Sequence, residues 1–355
     1  MMKYYNPAKL MNMMDINGNR PYIYICTTNR NAGKSFSFID YIIKEWTGYH
    51  RLTTFIFRYN YELPGCSDTI YGDVQRTKYP GLKFTEKSVS DIYYELYCNG
   101  VKCGYAICLN CKDSVIKRRG PALNDTTYIV FDEFQSEDGY IKNEVHKFQT
   151  WYTTIARGHG QLTRYVPVYM IGNLISIANP YYISMGVSNR IRPEMRFIRG
   201  DGWVLEQGFS EDAAKENSES GFNRAFQRTK YSRSLYEKGL YLEDNNSNIL
   251  SVRLEQKNFL FSLVSNDKTL GCWLFNPKDY GITDSGISAL YISDSHDDSQ
   301  NIKYANNRNV KSGETSIQTT FIKNTLLSYY KTGKIFYQNI EIKNIMKDEL
   351  LKISQ

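Results

Sequence analysis

The stretch Thr28-Asn29-Arg30-Asn31-Ala32-Gly33-Lys34-Ser35 constrains this chain more than any other. It follows an apolar, β-rich run, Tyr22-Ile23-Tyr24-Ile25, and precedes an amphipathic run from Phe36 to Trp46. Strand, short loop, Gly-Lys-Ser and helix in that order is the setting of a phosphate-binding loop. Successive backbone N–H groups in the turn and at the helix start make a concave anion site, and the helix dipole adds to it. Lys34 would reach the β- and γ-phosphates of a nucleoside triphosphate, and the Ser35 hydroxyl would ligate Mg²⁺. Thr28 stands where the usual pattern has its first glycine. Threonine disfavours positive φ, so the turn must avoid that conformation there or carry strain.

A second stretch completes the chemistry. Thr127-Tyr128-Ile129-Val130-Phe131-Asp132-Glu133 is a continuous apolar run ending in adjacent acids, as in a strand buried on both faces of a parallel sheet. Ligands of open α/β sheets bind at the carboxyl ends of such strands. Asp132 would hold Mg²⁺ through its water shell, and Glu133 would orient and polarise the attacking water.

Downstream, a helix is expected over 140–155. It leads to Ala156-Arg157-Gly158-His159-Gly160, where glycines free the loop around His159. Arg157 is placed either to reach a neighbouring subunit's site or to cap its own helix, and the residues leave both roles open, with Arg164 as the rival arginine. Tyr165 to Asn173 reads as another buried strand. Asn173 at its end suits a hydrogen bond to the γ-phosphate or attacking water, or simply a turn after Gly172.

Further strands are expected at Thr53–Tyr59, ending in Arg58, and at Tyr105–Leu109, with a helical run near Ser90–Tyr97 between them. The triplet Lys117-Arg118-Arg119 before Gly120-Pro121 reads as an exposed loop, either a solvated patch or a phosphate-backbone contact. Arg190, Arg192, Arg196 and Arg199 alternate with apolar residues, as on a last or edge strand. Residues 208–240 turn polar and read as a linker with short helices.

From Ile249 the pattern becomes β-rich. Strands are expected at Ile249–Leu254, Phe259–Val264, Leu270–Phe275 and Ala289–Ser293, then helix Ser316–Tyr330, strand Lys334–Gln338 and helix Glu341–Ile353. That is the outline of an RNase H-like domain. A nuclease of that type needs several carboxylates around two metals, one of them on the first strand. Phe259–Val264 contains no acid, and Asp294, His296, Asp297 and Asp298 read as a polar loop, so the domain looks catalytically empty.

At 355 residues the chain has room for two domains. Its net charge of +7 is compatible with a polyanionic partner. No apolar stretch approaches the ~20 residues of a membrane span, and the N-terminus lacks the pattern of a signal peptide, so cytosolic residence is expected. Seven cysteines without a secretion signal are expected as reduced thiols. The cluster Cys98, Cys103, Cys108 and Cys111 reads as buried thiols rather than a zinc site, since only Cys108 and Cys111 have the spacing. Most of the 30 tyrosines are expected to pack with their hydroxyls wet.

These residues resemble the DNA-encapsidation ATPases of small podoviruses, distant relatives of terminase large subunits. The resemblance rests on Asn29 to Ser35, Ile129 to Glu133, Ile155-Ala156-Arg157 and Met170-Ile171-Gly172-Asn173, and is best in residues 20–175. It implies an α/β fold: an ASCE-type P-loop ATPase domain with a largely parallel sheet (1–207), a helical linker (208–245) and a smaller α+β RNase H-like, vestigial nuclease domain (246–355). It also implies a ring motor, with five subunits expected, that docks on the viral portal protein. The motor would hydrolyse ATP with Mg²⁺ to thread double-stranded DNA into an empty shell, with no membrane involved. Whether a packaging RNA takes part stays open. Residence would be the host cytoplasm and, transiently, the portal vertex, but not the mature virion. Arg30 matches the basic residue such ATPases carry inside the phosphate loop, and Arg157 falls where they place a trans-acting arginine finger. Lys117, Arg118 and Arg119 are the candidates for DNA contact. Two other readings remain: a terminase-like motor with an active nuclease, and a nucleic-acid-binding scaffold that binds no nucleotide.

Overall fold

The computed structural model describes residues 5–137, 139–158, 163–177, 179–187, 190–191, 195–237, 248–250, 252, 254–255, 258–265, 268–282, 288–296, 303–305, 313–317, 321–332 and 334–354. The chain divides into two compact units, Met1–Glu243 and Asp244–Gln355.

In the first unit the elements run α1 (Ala8–Met11), β1 (Ile23–Thr28), α2 (Lys34–Tyr49), β2 (Leu52–Phe57), α3 (Cys66–Lys78), β3 (Phe84–Ser90), β4 (Tyr93–Cys98) and β5 (Val101–Cys108). Then follow α4 (Asp113–Arg119), β6 (Thr126–Asp132), α5 (Glu144–Ile155), β7 (Val168–Asn173), α6 (Pro180–Ser184), β8 (Phe197–Gly200) and β9 (Trp203–Gln207). Three helices, α7 (Glu211–Glu219), α8 (Gly221–Ala225) and α9 (Lys230–Tyr236), end the unit.

One nine-stranded sheet has the order β3-β4-β5-β2-β6-β7-β1-β9-β8. Its central strands β5, β2, β6, β7, β1 and β9 run parallel, and antiparallel strands close both edges. Apolar residues on β1, β6 and β7 are buried against α2 on one face and α5 on the other, which is why these strands read as unbroken hydrophobic runs. The α/β architecture with a largely parallel sheet agrees with expectation.

Several local expectations fail. The run Ser90–Tyr97 is not helical: it spans the end of β3 and most of β4. Asn99 and Gly100, both at positive φ, turn β4 directly into β5, and that hairpin pairing overrides the helical spacing. Lys117-Arg118-Arg119 forms the last turn of α4 rather than a loop, with Lys117 and Arg118 exposed. Among the described residues of the arginine-rich run, only Phe197–Gly200 is a strand, the sheet edge. Its partner β9, which sequence reading missed, pairs with β1; Arg192 lies outside the described residues.

The second unit holds β10 (Phe259–Ser265), β11 (Lys268–Phe275), β12 (Ala289–Ser293), β13 (Lys303–Ala305), β14 (Glu314–Ser316), α10 (Phe321–Lys331), β15 (Ile335–Tyr337) and α11 (Ile340–Ser354). The sheet order is β14-β13-β10-β11-β12-β15, with β10, β11 and β12 antiparallel and the flanking strands parallel to their neighbours. The expected strand at Ile249–Leu254 reduces to an isolated bridge between Ile249 and Tyr337, with residues 251 and 253 outside the described set. Strands β13 and β14 were not anticipated.

Candidate active site

Strands β1 and β6 are separated only by β7, so three strand ends converge: Thr28, Asn173 and Asp132. Thr28 closes β1 in register with Asn173 and keeps an extended backbone. The left-handed conformations of the turn fall instead on Asn31 (φ 64°) and on Gly33 (φ 77°), which stands immediately before α2. The loop therefore needs no glycine at position 28, and threonine there carries no backbone strain.

Lys34 opens α2 and is buried, 7% exposed. Its Nζ donates to Asn173 Oδ1 at 2.6 Å. Burial lowers the Lys34 pKa, while the nearby Asp132 and Glu133 carboxylates oppose that shift. Burial likewise raises the Asp132 carboxyl, partly countered by a hydrogen bond from the Ser35 side chain and by the Lys34 charge. Ser35, Lys34, Asp132 and Asn173 thus form one polar cluster at the carboxyl end of the sheet.

Glu133 follows Asp132 with φ 54°, a left-handed backbone that costs a non-glycine residue about 1 kcal/mol or more. Arg58, just past β2, holds this turn. It is buried, donates to the Phe134 carbonyl at 2.9 Å and to the Glu133 carbonyl at 3.4 Å, and grips both carboxylate oxygens of buried Glu144 at the start of α5. Gln135 Oε1 accepts from the backbone N–H groups of Ile175 and Ser176, fixing the turn that follows Asn173. Neither Arg58 with Glu144 nor Gln135 was picked out as a site residue, although a charged side chain closing the apolar strand β2 was the available signal.

The two rival arginines part company. Arg164 donates to the carbonyls of Ile155 (3.0 Å) and Thr126 (3.2 Å), so it takes the helix-end role. Arg157 lies two residues beyond α5, exposed, with no hydrogen bond or ion pair to the described residues. His159 and Gly160 are outside the described set.

The rest of the loop is clasped by the segment read as a linker. Asn29 Nδ2 donates to the Ser210 and Leu235 carbonyls (3.1 and 3.3 Å), and its Oδ1 accepts from the Ser210 N–H (2.9 Å). Asn31 donates to Asn217 Oδ1 at 3.0 Å, and Asn217 donates to the Arg30 carbonyl at 3.4 Å. The Arg30 guanidinium pairs with Glu137 and lies 5.1 Å over the Tyr231 ring. Ala32 is buried, and its carbonyl accepts from the Tyr5 N–H. The space left beside Asn29, Arg30, Asn173 and Ser234 is about 10 Å³. A larger cavity lies elsewhere, along the lower half of the same sheet face.

All seven cysteines are free and buried, and no group of metal-ligating side chains occurs among the described residues. Strand β10, described in full, carries no acid; Asp297 and Asp298 lie outside the described residues. No helix among the described residues is long and apolar enough to cross a membrane.

The chain is 25% identical over 349 residues to the DNA packaging proteins of Bacillus phages phi29 and PZA, covering 96% of this chain and 95% of each relative. Among solved structures it is similar to the bacteriophage Phi-29 viral genome packaging motor assembly (22% identity, TM-score 0.66, 99% of both chains). It is also similar to the Phi-28 gp11 DNA packaging motor (15% identity, TM-score 0.59, 99% of this chain and 97% of that one). These two likenesses concern the fold. A family model described as Podovirus DNA encapsidation protein (Gp16) matches residues 1–354, and the chain belongs to that family.

Proposed function

We propose that this chain is the ATP-hydrolysing motor that drives double-stranded DNA into a viral procapsid. The observation that carries the reading is the convergence of Lys34, Ser35, Asp132 and Asn173 on three neighbouring strand ends. Those residues fit a magnesium-bound triphosphate. The buried Lys34 ammonium already rests on an oxygen, Asn173 Oδ1, where a phosphate oxygen would replace it, and Ser35 and Asp132 offer adjacent hard oxygen ligands. Bound Mg²⁺ would neutralise charge on the phosphates.

In this reading Asn29 to Ser35 cradle the phosphates, Lys34 stabilises charge on the transferred group, and Ser35 and Asp132 hold the metal. Glu133, fixed by the Arg58-bound turn, orients the attacking water, and Asn173, released from Lys34, contacts the γ-phosphate side. Arg157 reaches the site of the next subunit; its exposure and its lack of partners among the described residues support that role. A trans arginine contributes on the order of 10³–10⁵ in rate for phosphate-loop hydrolases. Hydrolysis would therefore depend on assembly into a ring, with five subunits as the family resemblance implies.

Duplex DNA would be held by phosphate contacts and so without sequence choice, with the last turn of α4, where Lys117 and Arg118 are exposed and Arg119 follows, as the candidate grip. The portal protein is the docking partner and its vertex the place of action. Residues 208–245 serve as the linker, and 246–355 as a nuclease-derived domain without cleavage activity, supported by the acid-free strand β10.

The test mixes Lys34→Ala and Arg157→Ala chains and measures DNA-stimulated ATP hydrolysis. Each alone is expected to be inactive and the mixture to recover part of the rate. No recovery removes the trans role of Arg157; absence of hydrolysis by the unmodified chain with DNA and Mg²⁺ removes the motor reading.

A further inference from the structure

A cavity of about 830 Å³ lies below the candidate active site on the same sheet face. Tyr24, Tyr169 and Tyr128 form its floor. Each stands four residues before a strand end of the site (Thr28, Asn173 and Asp132), so it projects to the same face about 13 Å away. Tyr41 of α2 joins them. Its ring lies 6.1 Å from Tyr169 and 6.0 Å from Tyr128, while Tyr24 and Tyr128 lie 5.6 and 5.9 Å from Tyr169. At the mouth, Tyr165 is 41% exposed and meets half-exposed Tyr22 edge-on at 5.3 Å.

The charges around the groove are unequal. Four cations, Arg20, Lys44, Arg51 and Lys78, face two carboxylates, Asp40 and Glu45. Asp40 sits between Lys44 (2.8 Å) and Lys78 (3.0 Å), and Glu45 takes Arg51 and the Tyr128 hydroxyl. The acids are covered, at 11% and 14% exposed, whereas Lys44, Lys78 and Arg51 are 64%, 43% and 44% exposed. What reaches solvent is therefore positive charge beside the exposed rings of Tyr165 and Tyr22, with the floor tyrosines buried beneath.

We propose that this groove binds an unpaired nucleotide unit, its base among the tyrosines and its phosphate on Lys44 and the neighbouring cations. Stacking needs a base free of its own helix, so a single strand or a free nucleotide satisfies the floor and a duplex does not. The volume lies within the range of small-ligand sites. The inference does not rest on hydrolysis at the phosphate loop and can fail or hold separately from it.

The test uses the full chain with the phosphate loop saturated by Mg-ADP, and follows fluorescence anisotropy of short labelled RNA and DNA single strands and of the corresponding duplex. Single strands are expected to bind. Tyr165→Ala and Lys44→Ala are expected each to weaken them about fivefold or more, the smaller end of a base-stacking loss, while Tyr165→Phe stays within about twofold. Duplex binding is expected to be unchanged by all three. Displacement of the strand by millimolar AMP assigns the groove to free nucleotide, and resistance to AMP assigns it to a strand. Two results overturn the proposal: single-strand binding indifferent to Tyr165→Ala and Lys44→Ala, or equal losses for duplex and single strand. Circular dichroism and retained ATP hydrolysis establish that the variants are folded.

Discussion

Lys34 Nζ and Asn173 Oδ1 are joined by a 2.6 Å hydrogen bond that ties the start of α2 to the end of β7. In the proposed mechanism a phosphate oxygen takes the place of that amide. Asn173→Asp would turn the contact into a buried ion pair that phosphate must displace, so the KM for ATP is expected to rise at least tenfold. Asn173→Ala leaves Lys34 available but removes the polar contact on the γ-phosphate side. Its kcat is expected to fall about 10²-fold with little change in KM, on the scale of other preorganised contacts. Steady-state hydrolysis of both variants checks the pair; equal KM in the two would dissociate Asn173 from the nucleotide.

Glu133 carries its carboxylate on a left-handed backbone, so hydrolysis and stability should pull in opposite directions there. Glu133→Gly is expected to raise unfolding free energy by about 1 kcal/mol by relieving that conformation. The same change is expected to lower ATP hydrolysis by at least ~10²-fold through loss of the carboxylate proposed to orient and polarise the attacking water. Urea unfolding and turnover measured on one preparation test both, and a destabilised Glu133→Gly chain would show the turn to be unstrained.

The Arg58–Glu144 pair holds that turn from behind. Both side chains are buried, so removing one leaves an uncompensated charge. Arg58→Ala is expected to cost about 3–5 kcal/mol. Replacing both residues with apolar side chains of similar volume should cost much less, because no charge is then stranded. A double-mutant cycle by urea unfolding gives the coupling directly.

Burial raises the pKa of Asp132, which fixes the sign of its pH effect. An acid whose folded pKa exceeds its unfolded value penalises the fold when ionised, fully so above the folded pKa. The penalty fades as pH falls toward the ordinary carboxylate range. The unmodified chain is therefore expected to gain on Asp132→Asn in relative stability as pH drops from 7 toward about 4, with Asp132→Asn the more stable at pH 7. In the proposed mechanism, where Asp132 holds the metal, hydrolysis is expected to run the other way and to be lost as Asp132 protonates. Urea midpoints across that interval decide it.

The central strands and the phosphate loop were legible because buried parallel strands leave long apolar runs and a Gly-Lys-Ser turn leaves a fixed spacing. Local pattern failed where pairing across the chain decides. The run Ser90 to Tyr97 reads as helical, but the Asn99–Gly100 turn folds β4 onto β5, and only the turn chemistry would have revealed that. Strand β9 is short and its place beside β1 depends on a contact some 180 residues away in sequence. Asn217 and Ser210 left no signal at all. Polar residues in a polar segment look alike whether they face water or grip a loop.

That grip yields a further expectation. Asn29 is spent on Ser210 and Leu235, and Asn31 and Arg30 on Asn217, leaving about 10 Å³ beside the loop. In the proposed mechanism this loop cradles a triphosphate, and its side chains are already engaged by α7 and α9, so binding is expected to loosen those helices from the phosphate loop. Hydrogen exchange over residues 210–236 is expected to accelerate when a non-hydrolysable ATP analogue binds. Asn29→Ala, which strands the Ser210 N–H, is expected to accelerate it without ligand and to cost about 1–3 kcal/mol. Because the opening is then partly made in advance, the variant should bind the analogue more tightly than its lost stability alone would suggest. Exchange that slows over this segment on nucleotide binding would mean that the clasp tightens on its ligand, and the loosening of α7 and α9 would be ruled out.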